Sequence, residues 1–149
     1  MTRHPARRRA TRSDSGVPDV ELWRLSGCFD GVIPPVLATC SSSGEPNITH
    51  VSQLYLVDEG HVAVSNQFFS KTAANLRTNP QAAVLVTDSQ SYDTFHFDLW
   101  YERTETSGPL FDELRVRIEA IGALMHMEDV FALRGADIYR IVQVRSLAP

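Results

Sequence analysis

The chain has 149 residues, a length typical of one domain rather than two. Its composition is 43% hydrophobic and 21% charged, which is near the globular average and excludes collagen-like and wholly disordered classes. The net charge is −4, but residues 1–16 hold five arginines and one aspartate, so this segment carries +4 and the remainder −8. An acidic body argues against general binding of nucleic-acid phosphates, and no apolar run approaches the ~20 residues of a membrane span.

The N-terminal segment differs from the rest of the chain in composition. Residues 1–18 are rich in Arg, Ser, Thr, Pro and Gly, which predicts a disordered basic arm before a folded domain over 19–149. The arm could contact nucleic acid or an acidic partner, or simply be solvated. No apolar segment follows its arginines, so no secretory signal is predicted. Cys28 and Cys40 are expected to be reduced thiols of a cytoplasmic protein, with a single bridge between them left open.

Turn signals and runs of β-forming residues divide the folded part into strands and helices. A short helix is predicted over Val20–Phe29, a second over Ser70–Asn79, stopped by Pro80, and a third starting near Ser107. The six predicted strands are Ile33–Cys40, Asn47–Val57, His61–Asn66, Gln81–Asp88, Tyr92–Thr106 and Ile138–Val144.

Two of these elements have a clear periodicity. The strand Tyr92–Thr106 places one set of alternate residues on a single, apolar face, namely Phe95, Phe97, Leu99 and Tyr101. Its other face carries His96, Asp98, Trp100 and Glu102. The last helix has Pro109 in its first turn and acidic Asp112 and Glu113 near its positive end. Its apolar stripe consists of Leu110, Leu114, Ile118, Ile121 and Met125.

The order of the elements predicts a mainly β (α+β) fold. The strands mostly follow one another in hairpin order, which favours a six-stranded antiparallel β-barrel with flanking helices. A parallel sheet would need a helix between most strands, and the first three predicted strands have none.

The strongest candidate site is the transition from a strand to a helix over Val64–Thr72. The start of a helix exposes unpaired N–H groups and a partial positive charge, which suit a phosphate. Lys71 adds a full charge and Ser70 adds a hydroxyl, while Ser65 and Asn66 end the preceding strand and are expected to face the same opening. The same residues would also fit an ordinary helix start, with Ser70 as its cap and Lys71 solvated.

A second candidate is the polar strand Asn47–Gln53. Its hydrogen-bonding side chains include Thr49 and His50, followed by Val51. A buried planar heteroaromatic ligand needs such groups along its edges, although the side chains could equally face solvent.

Metal and hydrolase sites find less support. The histidines show no helical ligand spacing and the chain has no C-x-x-C pair, so no metal site is predicted. The chain also lacks a G-x-S-x-G nucleophile motif, and no catalytic residue can be assigned.

Together these segments resemble the pyridoxamine 5′-phosphate oxidase-like family of FMN-binding split barrels. The resemblance runs roughly from Cys28 to Val144, and its most specific part is the Ser-Asn…Ser-Lys segment, residues 65–72. The supporting segments are Gly31–Thr39, Gly44–Asn47, Asn79-Pro80, Tyr101–Thr106 and Arg134–Arg140.

The resemblance implies a split-barrel homodimer with two flavins at the subunit interface. Lys71 would hold the FMN phosphate, and the strand around His50 would run along the isoalloxazine ring, mostly through backbone groups. The flavin would supply the redox chemistry. The cofactor-binding residues implied in this way are Thr49, His50, Val51, Ser65, Asn66, Ser70 and Lys71.

The chain departs from the namesake enzymes in two places. Those enzymes carry a C-terminal segment of the Arg-Leu-His-Asp-Arg type for substrate, whereas this sequence ends at Pro149 without one. Their phosphate-binding strand carries Arg and Lys, whereas Asn47–Leu54 carries neither. Oxidation of pyridoxamine 5′-phosphate is therefore not expected.

Three functions remain open from the sequence. The first is an FMN-dependent oxidoreductase that acts on an unknown small molecule. The second is an F420-dependent reductase on the same fold. The third is a non-catalytic flavin- or haem-binding or regulatory module, which the lack of an assignable acid or base favours.

Overall fold

A computed structural model describes residues 21–67 and 70–147, so the predicted arm over 1–18 lies outside the described residues. The described part contains one 3₁₀ helix, two α-helices and seven strands. The helices are the 3₁₀ helix Leu22–Cys28, α1 (Ser70–Thr78) and α2 (Pro109–Leu124). The strands are β1 (Val36–Cys40), β2 (Pro46–His50), β3 (Leu54–Asp58), β4 (His61–Asn66), β5 (Gln81–Thr87), β6 (Thr94–Glu105) and β7 (Gly135–Ser146).

All seven strands form one antiparallel sheet in the order β2-β1-β5-β6-β7-β4-β3. The two edge strands, β2 and β3, are consecutive in the chain and are joined through residues 51–53 alone. In a flat sheet the edges would lie about 29 Å apart, at roughly 4.8 Å per strand. The chain from His50 to Leu54 can span only about 14 Å. The sheet therefore curls until its edges approach each other, as in a split barrel.

The prediction of a single strand over Asn47–Val57 is wrong. The structure has two strands here, so the sheet has seven strands instead of the predicted six. Its first half pairs with β1 and its second half with β4. Between them the Val51 N–H donates to the Pro35 carbonyl (3.0 Å), and the Gln53 side chain donates to the Phe29 carbonyl (2.6 Å). The chain leaves the ladder here because it crosses from one sheet edge to the other.

The concave face of the sheet holds the main core. Phe95, Phe97 and Leu99 of β6 point into it, while Trp100 is exposed, which confirms the predicted alternation of this strand. The half-buried Tyr101 ring packs edge-on against Tyr139 at 5.7 Å. The other fully buried members of the core are Leu37, Leu54, Val62, Val64, Val84, Val86, Tyr139 and Ile141.

Helix α2 covers the outer face of β3, β4 and β7. Leu114 packs there in a second cluster with Tyr55, Ala63, Ala136 and Ile138. Ile118 is also buried, so the predicted stripe is confirmed in its centre. The prediction that Met125 is the last member of the stripe is wrong, because the helix ends at Leu124 and Met125 is 57% exposed. Gly108 rather than Ser107 precedes the helix, and Pro109 is its first residue.

The other half of the outer sheet face, on β2, β1, β5 and β6, is exposed and partly apolar. We call it the open face. Ile48 and Leu85 are 71% and 41% exposed there. Both lie beside β1. Ala38 of β1 pairs with Ile48 on one side and with Ala83 on the other, and Val36, two residues earlier on β1, pairs with Leu85. In the described ranges, no helix is long and apolar enough to cross a membrane.

Candidate functional site

Helix α1 is fixed to the sheet by polar contacts. The Asn47 side chain on β2 donates to the Thr72 hydroxyl (3.1 Å), and the Asn75 side chain donates to the Thr39 hydroxyl on β1 (3.1 Å). Thr72, Asn75 and Thr39 are each buried. Hydrogen bonds between buried groups fix direction as well as distance, so the start of α1 has a defined position beside β2.

The start of α1 carries the one lysine among the predicted site residues. The first turn contains Lys71 and no acidic residue. Ser70, the first helical residue, is exposed. The Lys71 ammonium donates to the carboxylate of Glu45, which lies in the turn just before β2. This hydrogen bond, and then the charge of Lys71, hold the pKa of the Glu45 carboxyl below its ordinary value. The contact with Glu45 was not predicted, because it joins residues 26 positions apart.

The end of β4 reaches the linker 51–53 through Ser65. Ser65 is 2% exposed, and its hydroxyl lies 3.1 Å from that of Ser52. The Gln67 side-chain amide is 3.5 Å from the Ser65 hydroxyl. Neither Ser52 nor Gln67 was assigned a role from the sequence, although both lie inside the two candidate segments.

Asn66 points away from Ser65, so the expectation that both face one opening is wrong. Its side chain hydrogen-bonds the Asp137 carboxylate inside the curled sheet, and its carbonyl accepts from the Arg134 N–H (2.8 Å). The reason is the alternation of side chains along a strand, which persists to the end of β4.

The residues Thr49, His50 and Val51 lie where β2 ends. Thr49 is half-buried and donates to the His50 carbonyl (3.2 Å), the His50 side chain is exposed, and Val51 is buried. The backbone of Val51 bonds toward β1, and antiparallel bonding alternates along the pair. The backbone groups of Ile48 and His50 therefore point away from β1, toward what we call the open edge of β2.

The predicted residues consequently lie around one strand. Ser65 contacts Ser52 just beyond one end of β2, and Lys71 contacts Glu45 just before the other. The segment from β4 to α1 thus touches both ends of β2, with the open edge between the two contacts. Asn66 is the member that points elsewhere.

The acid to which Asn66 is hydrogen-bonded, Asp137, is buried. Asp137 is 2% exposed and accepts a hydrogen bond from the Thr104 hydroxyl (2.6 Å), which in turn lies 2.6 Å from the Tyr101 hydroxyl. Burial raises the pKa of the Asp137 carboxyl. The Tyr139 hydroxyl is buried and, among the described residues, has no hydrogen-bond partner; burial raises its pKa well above the ordinary value.

The histidines and cysteines form no comparable centre. His61 lies between Asp58 (2.9 Å) and Glu102 (3.4 Å) on the surface. Within residues 21–67 and 70–147 no group of three or more His, Cys, Asp or Glu residues is arranged to hold a metal ion. Cys28 and Cys40 are free thiols, and burial raises the pKa of Cys28 to about 12, which leaves it unreactive.

Comparison with solved structures shows the same fold in proteins of low sequence identity. An FMN-binding protein from Syntrophomonas wolfei subsp. wolfei is 20% identical, with a TM-score of 0.67, over 84% of this chain and 82% of that one. The haem-storage protein HutZ from Vibrio cholerae is 17% identical, with a TM-score of 0.54, over 76% and 84% of the two chains. An F420 reductase is 14% identical, with a TM-score of 0.56, over 80% and 94%.

A comparison with curated protein sequences returns no match. The sequence model of the pyridoxamine 5′-phosphate oxidase family, in contrast, matches residues 34–143. This match includes every strand from β1 to β6, both α-helices and most of β7. The chain therefore belongs to the pyridoxamine 5′-phosphate oxidase family.

Proposed function

We propose that this protein is a homodimeric flavoprotein that binds FMN and acts as an oxidoreductase on a small molecule. The observation that carries the proposal is the start of α1, where Lys71 stands in a first turn without acidic residues, on a helix fixed beside β2. We place the protein in the cytoplasm, in keeping with the unpaired state of Cys28 and Cys40.

The residues around β2 fit the two parts of FMN. A phosphate needs N–H donors and positive charge, which the first turn of α1 and Lys71 supply. A planar ring with polar edges needs backbone donors and acceptors, which Ile48 and His50 offer along the open edge of β2. Ser70 adds an exposed hydroxyl next to Lys71.

The flavin, when bound, would supply the redox chemistry, and the chain would supply binding and orientation. Lys71 holds the phosphate by charge. The polar contacts between α1 and the sheet keep Lys71 at a fixed distance from β2. The backbone of β2 would orient the ring against the protein.

The open face supports the homodimer. Ile48 and Leu85 expose apolar side chains on β2 and β5, the strands on either side of β1, and exposed apolar surface marks sites of association. Most soluble oligomers are symmetric homo-oligomers, in which one self-complementary patch serves both subunits. Because β2 forms the border of this face, pairing two copies would bring a second subunit next to the proposed cofactor site.

Pyridoxamine 5′-phosphate is not the proposed substrate. That substrate carries a phosphate of its own, which would need cationic partners in addition to Lys71. Residues 47–54 contain neither Arg nor Lys. A small molecule without a phosphate fits the proposed site better.

F420 and haem are the competing cofactors, because structural neighbours of this chain are named as an F420 reductase and a haem-storage protein. The absorbance spectrum of the purified protein, followed by titration with FMN, F420 and haem, separates the three. We expect the purified protein to show the absorbance bands of a protein-bound flavin, and we expect FMN to bind saturably at one site per chain. Binding of F420 or haem in the absence of FMN binding would contradict the proposal.

A further inference from the structure

Three polar side chains border the apolar part of the open face. His96 and Asp98 project outward from β6, on the side opposite the buried Phe95 and Phe97, and Arg145 comes from the neighbouring β7. The Asp98 carboxylate lies 3.0 Å from the Arg145 guanidinium and 3.1 Å from the His96 Nε2 atom. The guanidinium also lies 3.2 Å from the His96 Nδ1 atom. We call these three residues the polar cluster; all of them are partly exposed.

The contacts within the polar cluster fit a neutral imidazole. An arginine side chain can only donate hydrogen bonds, so the His96 Nδ1 atom accepts one from Arg145. The Nε2 atom then carries the proton and donates to the Asp98 carboxylate. In this state every member of the cluster has a partner, and the charges of Asp98 and Arg145 cancel. A second proton, on Nδ1, would break the hydrogen bond from Arg145 and leave the cluster with a net positive charge.

The polar cluster lies close to the middle of the open face. The exposed Ile48 and Leu85 lie on either side of β1, and His96 of β6 pairs with Leu85. Since β6 is two strands from β1, and strands are spaced about 4.8 Å, His96 lies about 10 Å from the middle of the apolar part. A standard interface covers about 800 Å² per subunit, equivalent to a disc about 16 Å in radius. A homodimer interface centred on the apolar residues would therefore also cover His96 and Asp98.

We propose that His96 makes the homodimer sensitive to pH: two subunits associate while the imidazole is neutral, and its protonation releases them as folded monomers. The polar cluster can be buried between subunits while its groups satisfy one another. An additional buried charge without a partner opposes association. The inference rests on the proposed function, because it concerns the homodimer proposed there.

The direction of the pH effect follows from which state binds the proton. Histidine ordinarily changes its charge between about pH 5 and 8, whereas Asp and Arg ordinarily keep theirs in this range. The groups that face His96 are Asp98 on its own strand, Arg145 on β7 and the apolar Leu85 on β5. The other histidine of the open face is His50, on β2. Because the monomer binds the additional proton and the dimer does not, association weakens as the pH falls.

The test is sedimentation velocity of the purified protein over a concentration series, at about pH 7.5 and about pH 5.5. Each released subunit takes up one proton, so the dissociation constant of the wild type should rise about 10- to 100-fold on acidification. His96→Gln keeps a donor for Asp98 and an acceptor for Arg145 but carries no charge, so its dissociation constant should change less than about 2-fold. His61→Gln is the matched control. His61 also lies beside carboxylates, those of Asp58 and Glu102, but it belongs to β4, outside the open face, so this variant should keep the wild-type response.

Circular dichroism of the same samples separates dissociation of the subunits from unfolding. A wild-type dimer with the same dissociation constant at both pH values would overturn the inference and leave the homodimer standing. Unfolding that accompanies dissociation would also overturn it. A pH response that persists in His96→Gln would do the same, since it would assign the response to another group such as His50. A wild type that is monomeric at both pH values would instead contradict the homodimer, and the inference with it.

Discussion

At the scale of single residues, Lys71 and Glu45 form an ion pair that is more than half exposed. A phosphate at Lys71 would have to share the ammonium with the Glu45 carboxylate or displace it. Glu45→Gln removes this competing negative charge, so we expect FMN to bind more tightly. Exposed pairs are worth about 0.2–1 kcal/mol, which corresponds to a gain of roughly 1.5- to 5-fold.

The measurement is fluorescence titration of FMN at low and high salt, because the effect is Coulombic and should shrink as salt is added. Glu59→Gln is the control, since it removes the same charge at an exposed position in the turn between β3 and β4. An equal gain in both variants would assign the effect to net charge rather than to Glu45.

Asp137 gives a prediction about pH. Its pKa is raised by burial, so the unfolded chain ionises first as the pH rises, and the folded protein then loses stability relative to the unfolded chain. Asp137→Asn cannot ionise and can still accept the hydrogen bond from Thr104. We therefore expect the Tm of this variant, relative to the wild type, to increase from about pH 4 to neutral pH. A difference in Tm that is constant over this range would contradict the assigned pKa shift.

At the scale of elements, the end of α2 contains a strained residue. His126 has a φ of 53°, and the bonds from the His126 N–H to Ala123 (3.3 Å) and from the Met127 N–H to Gly122 (2.9 Å) form a Schellman motif. Glycine is the preferred residue at this left-handed position, because it has no Cβ.

His126→Gly should therefore raise the free energy of unfolding by about 0.5–1 kcal/mol. Chemical denaturation of both proteins measures it. His126→Ala is the control, because alanine keeps a Cβ at positive φ and should bring no gain. A gain of equal size with alanine would show that loss of the imidazole, and not relief of backbone strain, is the cause.

The elements also show which features the sequence could predict. The alternation around Phe97 and the spacing of Leu114 and Ile118 predicted the buried faces, because these patterns are local. The break between β2 and β3 was not predicted, since Val51 and Leu54 are apolar and the change of partner strand has no local sequence signal. That change is set by the curl of the whole sheet.

The candidate site was predictable to a similar degree. The first turn of α1 follows from Ser70, Lys71 and the stop at Pro80, all of them local signals. The contacts of Lys71 with Glu45 and of Ser65 with Ser52 depend on how distant segments pack, so the sequence pattern did not indicate them.

At the scale of the whole molecule, the open face predicts association. Ile48→Glu places a charge on this face at a position that is 71% exposed, so the fold of one chain should tolerate it. In the dimer the charge would be buried without a partner, and we expect dissociation to monomers at micromolar concentration. Sedimentation velocity measures the change.

Val116→Glu is the matched control, because Val116 is an apolar residue of α2 that is 58% exposed and lies away from the open face. It should leave the dimer intact. A wild-type protein that sediments as a monomer, with or without FMN, would contradict the homodimer itself.

The proposed role of Lys71, which is to bind the phosphate of FMN at the start of α1, is tested most directly by Lys71→Ala. A hydrogen bond to a charged group contributes about 1.5–3 kcal/mol, so FMN should bind roughly 10- to 100-fold more weakly. Riboflavin, which has no phosphate, should lose little affinity on mutation. Arg77→Ala removes the same charge from the other end of α1 and should change neither affinity appreciably. Equal losses for FMN and riboflavin, or no loss for either, would contradict the account.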